Sequence, residues 1–114
     1  MQALRPVEYH FDEDRGLTCY ACGRSLKRAV TLSDGILRGM DCAAVAMGLP
    51  RGKRTYDAIE HDARFAAAKA AGAKYLAENP KPREWAARQE WGTKASAACP
   101  YGRNTMEWHA FFDN

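Results

Sequence analysis

The sequence predicts an α+β fold: a small cysteine knuckle, a β-hairpin and one short helix, followed by a mainly helical C-terminal half. Three observations predict it. Cys19-Tyr20-Ala21-Cys22-Gly23 is a compact C-x-x-C-G turn, and Asp34-Gly35 lies between two β-prone runs. After about Leu49 the composition shifts from glycine, cysteine and β-branched residues to alanine and helix-forming charges. With 114 residues the chain suits a single modest core and is too short for a multi-domain enzyme.

Each element has its own signal. Val7-Glu8-Tyr9-His10-Phe11 alternates apolar and polar side chains, as a half-buried strand does. A polar turn from Asp12 to Gly16 precedes the knuckle. Ala29-Val30-Thr31-Leu32 and Ile36-Leu37-Arg38 flank Ser33-Asp34-Gly35, a hairpin whose turn positions favour Asp and Gly because positive φ is needed there. Asp41 as N-cap, Cys42 to Met47 as helix and Gly48 as C-terminal stop follow in order. Gly48 to Arg54 is interrupted by glycines and Pro50 and reads as a basic connector. Beyond it, Thr55 or Asp57 is expected to cap a helix that runs to Leu76 and ends at Asn79-Pro80. Pro82 fits the first turn of another helix, Arg83 to about Trp91, with Gly92 behind it. Cys99-Pro100-Tyr101-Gly102 reads as a turn, and Thr105 as the cap of a last helix, Met106 to Phe112. Trp85, Trp91, Trp108, Phe111 and Phe112 are expected in the core. No internal repeat is visible.

Charge is uneven behind a net value of +3. Residues 15–54 hold eight basic side chains, Arg15, Arg24, Lys27, Arg28, Arg38, Arg51, Lys53 and Arg54, against Asp34 and Asp41. Residues 1–14 are acidic, and residues 55–114 balance eight basic groups with eight acidic ones. The cysteine-rich segment is therefore the basic one, which suits phosphates or an acidic protein face. No run of roughly 18 apolar residues offers a membrane span. No basic n-region with an apolar h-region opens the chain, so the four cysteines are expected as metal ligands or plain thiols in the cytoplasm rather than as disulfides.

The spacing of three cysteines carries the chemistry: Cys19-x2-Cys22, then nineteen residues to Cys42. A C-x-x-C turn aims two sulfurs at one metal, and Gly23 lets the backbone fold so that its amides face the thiolates. Cys42, in the first turn of a helix, has its thiolate favoured by the helix N-terminus. Knuckle, hairpin and helix start thus compose a tetrahedral Zn2+ site. A thioredoxin-like redox pair needs a helix starting at the C-x-x-C, where this sequence predicts a hairpin instead. An iron–sulfur cluster needs four cysteines, and Cys99 is the fourth in the chain.

Cys19-Tyr20-Ala21-Cys22-Gly23-Arg24-Ser25-Leu26, the Asp34-Gly35 hairpin and Gly39-Met40-Asp41-Cys42 resemble the C-x-x-C-G-R-x-L…G-x-x-C pattern of small treble-clef-like zinc domains common in bacteriophage and actinobacterial proteins. The likeness covers about residues 17–48, under a third of the chain. It implies a structural zinc on Cys19, Cys22 and Cys42. With the composition shift near Leu49, the chain as a whole is read as a treble-clef-like finger over residues 1–49, a basic connector over 50–56 and a helical region over 57–114 packed on the finger. Many treble clefs take a further ligand from the helix three or four residues on, and Val45 and Ala46 stand there. The fourth ligand is expected from His10, on the strand leading to the knuckle. Cys99 is the alternative, and His61, Asp41 or a water remain open.

Catalysis finds little support. Glu60-His61-Asp62 fans its side chains about 100° apart on a helix, and no glycine-rich phosphate loop, nucleophile elbow or H-E-x-x-H is present. Binding is the expected activity, without membrane or small-molecule substrate. In one reading Arg24, Lys27, Arg28, Arg38, Arg51, Lys53 and Arg54 meet nucleic-acid phosphates, or offset the negative charge of zinc-bound thiolates. In the other, the chain is a small phage-type interaction protein seated on a host protein complex in the host cytoplasm, such as an inhibitor of a CRISPR-type defence system.

Overall fold

The computed structural model describes residues 3–113. It is α+β, with two small antiparallel sheets and four helices, and its C-terminal half is mainly helical. The chain divides into two compact units, Met1–Ala66 and Ala67–Asn114. No helix among the described residues is long and apolar enough to cross a membrane.

In the first unit β1 (Pro6–Phe11), β4 (Arg28–Leu32) and β5 (Leu37–Gly39) form a sheet in the order β1-β4-β5. Tyr9 pairs with Val30 and Thr31 with Leu37, and the β1 register shifts between Pro6 and Glu8. The Asp34-Gly35 hairpin forms, but of the two turn residues Gly35 takes positive φ (+81°) and Asp34 does not; the Asp34 carboxylate instead accepts from the Ile36 amide at 3.1 Å. β2 (Leu17–Thr18) and β3 (Ser25–Leu26) pair across the knuckle. Two-residue strands leave no periodicity to read, so the sequence does not signal them.

α1 (Met40–Ala46) begins one residue before the expected Asp41 cap. Gly39 takes the N-cap without a side-chain bond, and Asp41 falls in the first turn, where its carboxylate accepts from the Tyr56 hydroxyl. That position still favours an acid beside the exposed amides of the helix start. α2 (Lys53–Glu78) starts earlier than its expected caps, so Lys53 to Tyr56 of the basic connector form its first turn. Val30 and Leu32 from β4, Met40, Ala43 and Ala44 from α1, and Ile59 and Ala63 from α2 make the core. Alanines at three of these positions leave little side-chain bulk between the packed elements.

The second unit contains α3 (Trp85–Ala98) and α4 (Met106–Phe112). α3 passes through Gly92, the residue expected to end it. A helical glycine costs about 1 kcal/mol relative to alanine and does not stop a helix by itself. The stop comes at Pro100, which forces the preceding Cys99 into extended backbone, φ −66° and ψ 122°. Thr105 caps α4 as expected, its hydroxyl accepting from the Trp108 amide at 3.2 Å. Phe111 is buried, with Tyr75 and Tyr101 at ring separations of 5.9 and 6.4 Å. Trp91 donates its indole N–H to the Asn79 carbonyl at 2.7 Å. Trp91, Trp108 and Phe112 are half-buried rather than in the core, and Trp85 departs furthest from the core expectation: it is 74% exposed.

Candidate metal centre

The knuckle is built by backbone bonds. The Cys19 amide donates to the Arg24 carbonyl at 3.0 Å and the Gly23 amide returns to the Cys19 carbonyl at 2.7 Å. Gly23 sits at φ +76°, a conformation L side chains rarely adopt, which is what the turn asks of that position. The Tyr20 amide donates to the Leu37 carbonyl at 3.0 Å and ties the knuckle to β5. Because β5 runs directly into α1, the same strand delivers Cys42.

The three sulfurs converge. The Sγ atoms of Cys19, Cys22 and Cys42 all lie within 4.8 Å of one another, and the group could hold a metal ion. Cys19 is buried, Cys42 half-buried and Cys22 exposed. Burial pushes the Cys19 thiol up, but the Gly39, Cys22 and Ala21 amides and the Cys22 thiol outweigh it and bring it down to about 7. Against the expectation that the helix start favours its thiolate, Cys42 is pushed up by burial, the Cys19 and Cys22 sulfurs add to it, and it reaches about 11. The first thiolate makes the second costly, a repulsion that a bound cation relieves.

Among the described residues the group has these three members. His10 is not brought into it. Its Nε2 lies 2.9 Å from Thr31 Oγ1, so its place on β1 holds the ring against the neighbouring strand. Cys99, the alternative, caps the end of α3 in the second unit and its amide donates to the Ala95 carbonyl at 3.0 Å. His61 is exposed on α2 with Asp62 Oδ1 at 3.4 Å, and Asp41 is engaged by Tyr56.

The basic residues are not equivalent. Arg28 donates to the Tyr9 hydroxyl at 2.9 Å and faces Glu60 at 3.4 Å and Asp57 at 3.8 Å. Arg38 clasps Asp34 with two bonds of 3.0 and 2.8 Å. The Asp34 hydrogen bond holds the Arg38 guanidinium above its usual value, and Cys19 and Cys42 add to the effect, so Arg38 senses the thiols. These two arginines serve the chain itself. Lys27 lies over the Phe11 ring at 5.7 Å. Arg24 and Arg51 are exposed and, together with Arg28, line a cavity of about 440 Å³ that also touches Cys22, Cys42, Asp41 and Tyr56. Lys53 and Arg54 stand exposed on the first turn of α2. Paired charges such as Asp34 and Arg38 are visible at four residues' spacing, but the Tyr9 and Glu60 partners of Arg28 come from 19 and 32 residues away, with Asp57 between those limits, and leave no local mark.

Compared with known protein families, with curated proteins and with solved structures, the chain has no significant match.

Proposed function

We propose that the chain is a binding protein stabilised by a structural Zn2+ on Cys19, Cys22 and Cys42, and that nucleic acid is the partner of the basic surface beside the ion. The convergence of the three sulfurs within 4.8 Å carries this reading. Thiolates sharing one tetrahedral zinc at about 2.3 Å stand about 3.8 Å apart, so small side-chain movements suffice to close the site. Three thiols joined by sulfur-directed amides suit zinc, which takes thiolate readily and needs no redox partner.

A structural role fits the setting. The core of the first unit relies on alanine beside a three-stranded sheet, and a metal that joins knuckle to helix supplies stability which so small a core lacks. Three thiolates on Zn2+ leave one negative charge, and Arg38 stands where it offsets that charge. Arg24 and Arg51, next to the same cysteines, are left for an anionic partner. Phosphate is the anion that guanidinium pairs best suit, and contacts of this kind read backbone rather than sequence.

Retention of the zinc-loaded chain on duplex and single-stranded nucleic acid, followed against salt, tests the partner. Binding that weakens steeply between about 50 and 200 mM salt supports the reading. Failure to bind any nucleic acid at about 50 mM salt, with zinc in place, overturns the partner while leaving the metal assignment standing.

A further inference from the structure

Aromatic and cationic side chains with no assigned work lie along α3 in the second unit. Trp85, Arg88, Gln89, Thr93 and Ser96 recur at three- and four-residue spacing and so share one face of the helix. With Lys81, they line a groove of about 600 Å³. A second groove of about 510 Å³ is lined by Thr93 and Ser96 as well, and continues to Tyr101, Arg103 and Trp108. Among the described residues no carboxylate lines either stretch. Lys94 and Glu90 pair with each other at 3.3 Å and line neither groove.

The details favour one class of ligand. Trp91 is committed, with its N–H on the Asn79 carbonyl and the Lys81 ammonium 5.6 Å from its ring. Trp85 is 74% exposed, a large flat surface left in water beside Arg88. At Gly92, midway along the groove, a Cβ would meet nothing within 4 Å, so the floor is open. Rings and cations therefore stand at both ends of the path, with hydroxyls and a glycine between. The helix rises about 18 Å from Trp85 to Ala97. That matches about five nucleotides at the roughly 3.4 Å spacing of a stacked strand.

We infer that this groove binds single-stranded nucleic acid, with an unpaired base stacked on Trp85 and phosphates held by Lys81, Arg88 and Arg103. A paired duplex keeps its base faces inside the stack, so an exposed indole gains nothing from it, whereas an unpaired base of any identity offers a π-face. Arginine beside the ring adds an interaction with phosphate or base plane. The inference deepens the nucleic-acid reading and rests on it for the class of partner, but uses none of the residues of the metal centre.

The test is titration of the full zinc-loaded chain with oligo(dT), oligo(U) and a duplex, each about 15 units long, read by tryptophan fluorescence and by the label on the strand. Both single strands quench the tryptophan signal and bind more tightly than the duplex; a difference between them assigns DNA or RNA. Trp85→Ala raises Kd on the order of tenfold and Trp85→Phe retains most of the affinity, because a ring is kept. Gly92→Leu places a side chain in open space on a better helix former, so the helix persists while the groove is obstructed and binding falls. Circular dichroism separates loss of binding from loss of fold. If Trp85→Ala and Gly92→Leu bind as wild type while replacing Arg24 and Arg51 weakens binding, the groove assignment is overturned and the nucleic-acid reading survives. If the wild-type chain holds no strand at all, both fall.

Discussion

The Tyr20 amide donates to the Leu37 carbonyl at 3.0 Å, and through that bond the knuckle holding Cys19 and Cys22 is fixed to the strand that leads into Cys42. Two segments separated by a hairpin are thereby brought to one point by the backbone alone. The thiols do not titrate alike: Cys19 is lowered to about 7 and Cys42 raised to about 11. Protons therefore compete with a metal for Cys42 throughout the neutral range and for Cys19 increasingly below about pH 7. Zinc affinity is expected to fall as pH drops from about 8 to about 6, with protons released on loading. Chelator competition at the two pH values, together with proton release measured in weak buffer, checks this.

The same shifts set the metal-free stability. Cys19, lowered from 9.0 to about 7, binds fewer protons folded than unfolded, so its contribution is present above pH 9 and is lost as pH falls toward 7. Cys42, raised from 9.0 to about 11, binds more protons folded, so its contribution weakens stability as pH rises from 9 to 11. The cysteine contribution in the metal-free chain thus peaks near about pH 9. Thermal unfolding of the metal-free wild type against Cys19→Ser and Cys42→Ser over that range isolates it.

His10 faces Thr31, not the sulfurs. His10→Ala is expected to leave metal content unchanged and to cost about 0.5–1.5 kcal/mol, the worth of one hydrogen bond. Urea unfolding and elemental analysis of the same sample read the two effects separately.

Ile59 is fully enclosed with Val30 and Leu32 in the core of the first unit. Ile59→Ala is expected to destabilise by about 2–5 kcal/mol, combining lost burial with the cavity left behind. Val45, on the outer face of α1 and exposed, serves as the control, with Val45→Ala within about 0.5 kcal/mol of wild type.

Arg24 and Arg51 stand exposed beside the cysteines while Arg28 and Arg38 are held by acids of the chain. Replacing the first two by alanine is expected to weaken nucleic-acid binding and to flatten its salt dependence by about one unit of slope for each phosphate the chain no longer neutralises. Replacing Arg38 acts instead on the fold, through Asp34 and the hairpin.

The elements with strong local grammar are legible in the sequence. Asp34-Gly35 specifies its hairpin, Thr105 its helix, and the spacing of Cys19, Cys22 and Cys42 the cluster that the three sulfurs form. Features decided by tertiary packing are not. His10 looks like a ligand by its position on β1, but strand pairing turns its ring to Thr31. The seven basic residues look alike in sequence until Glu60, Asp57 and Asp34 claim two of them. Gly92 looks like a stop because the propensity of one residue is visible, whereas the helix-forming stretch through Ala98 that overrides it acts as a sum. Residue type alone puts Trp85 in the core, and its place in the first turn of α3 leaves it in solvent.

The most direct test of the zinc centre is the metal content, by elemental analysis, of the chain purified without added metal, alongside Cys19→Ser and Cys42→Ser. One zinc per chain is expected in the wild type and its loss in both variants, with lowered stability. A folded wild type that carries no metal, keeps its thiols free and gains no stability from added zinc would contradict it.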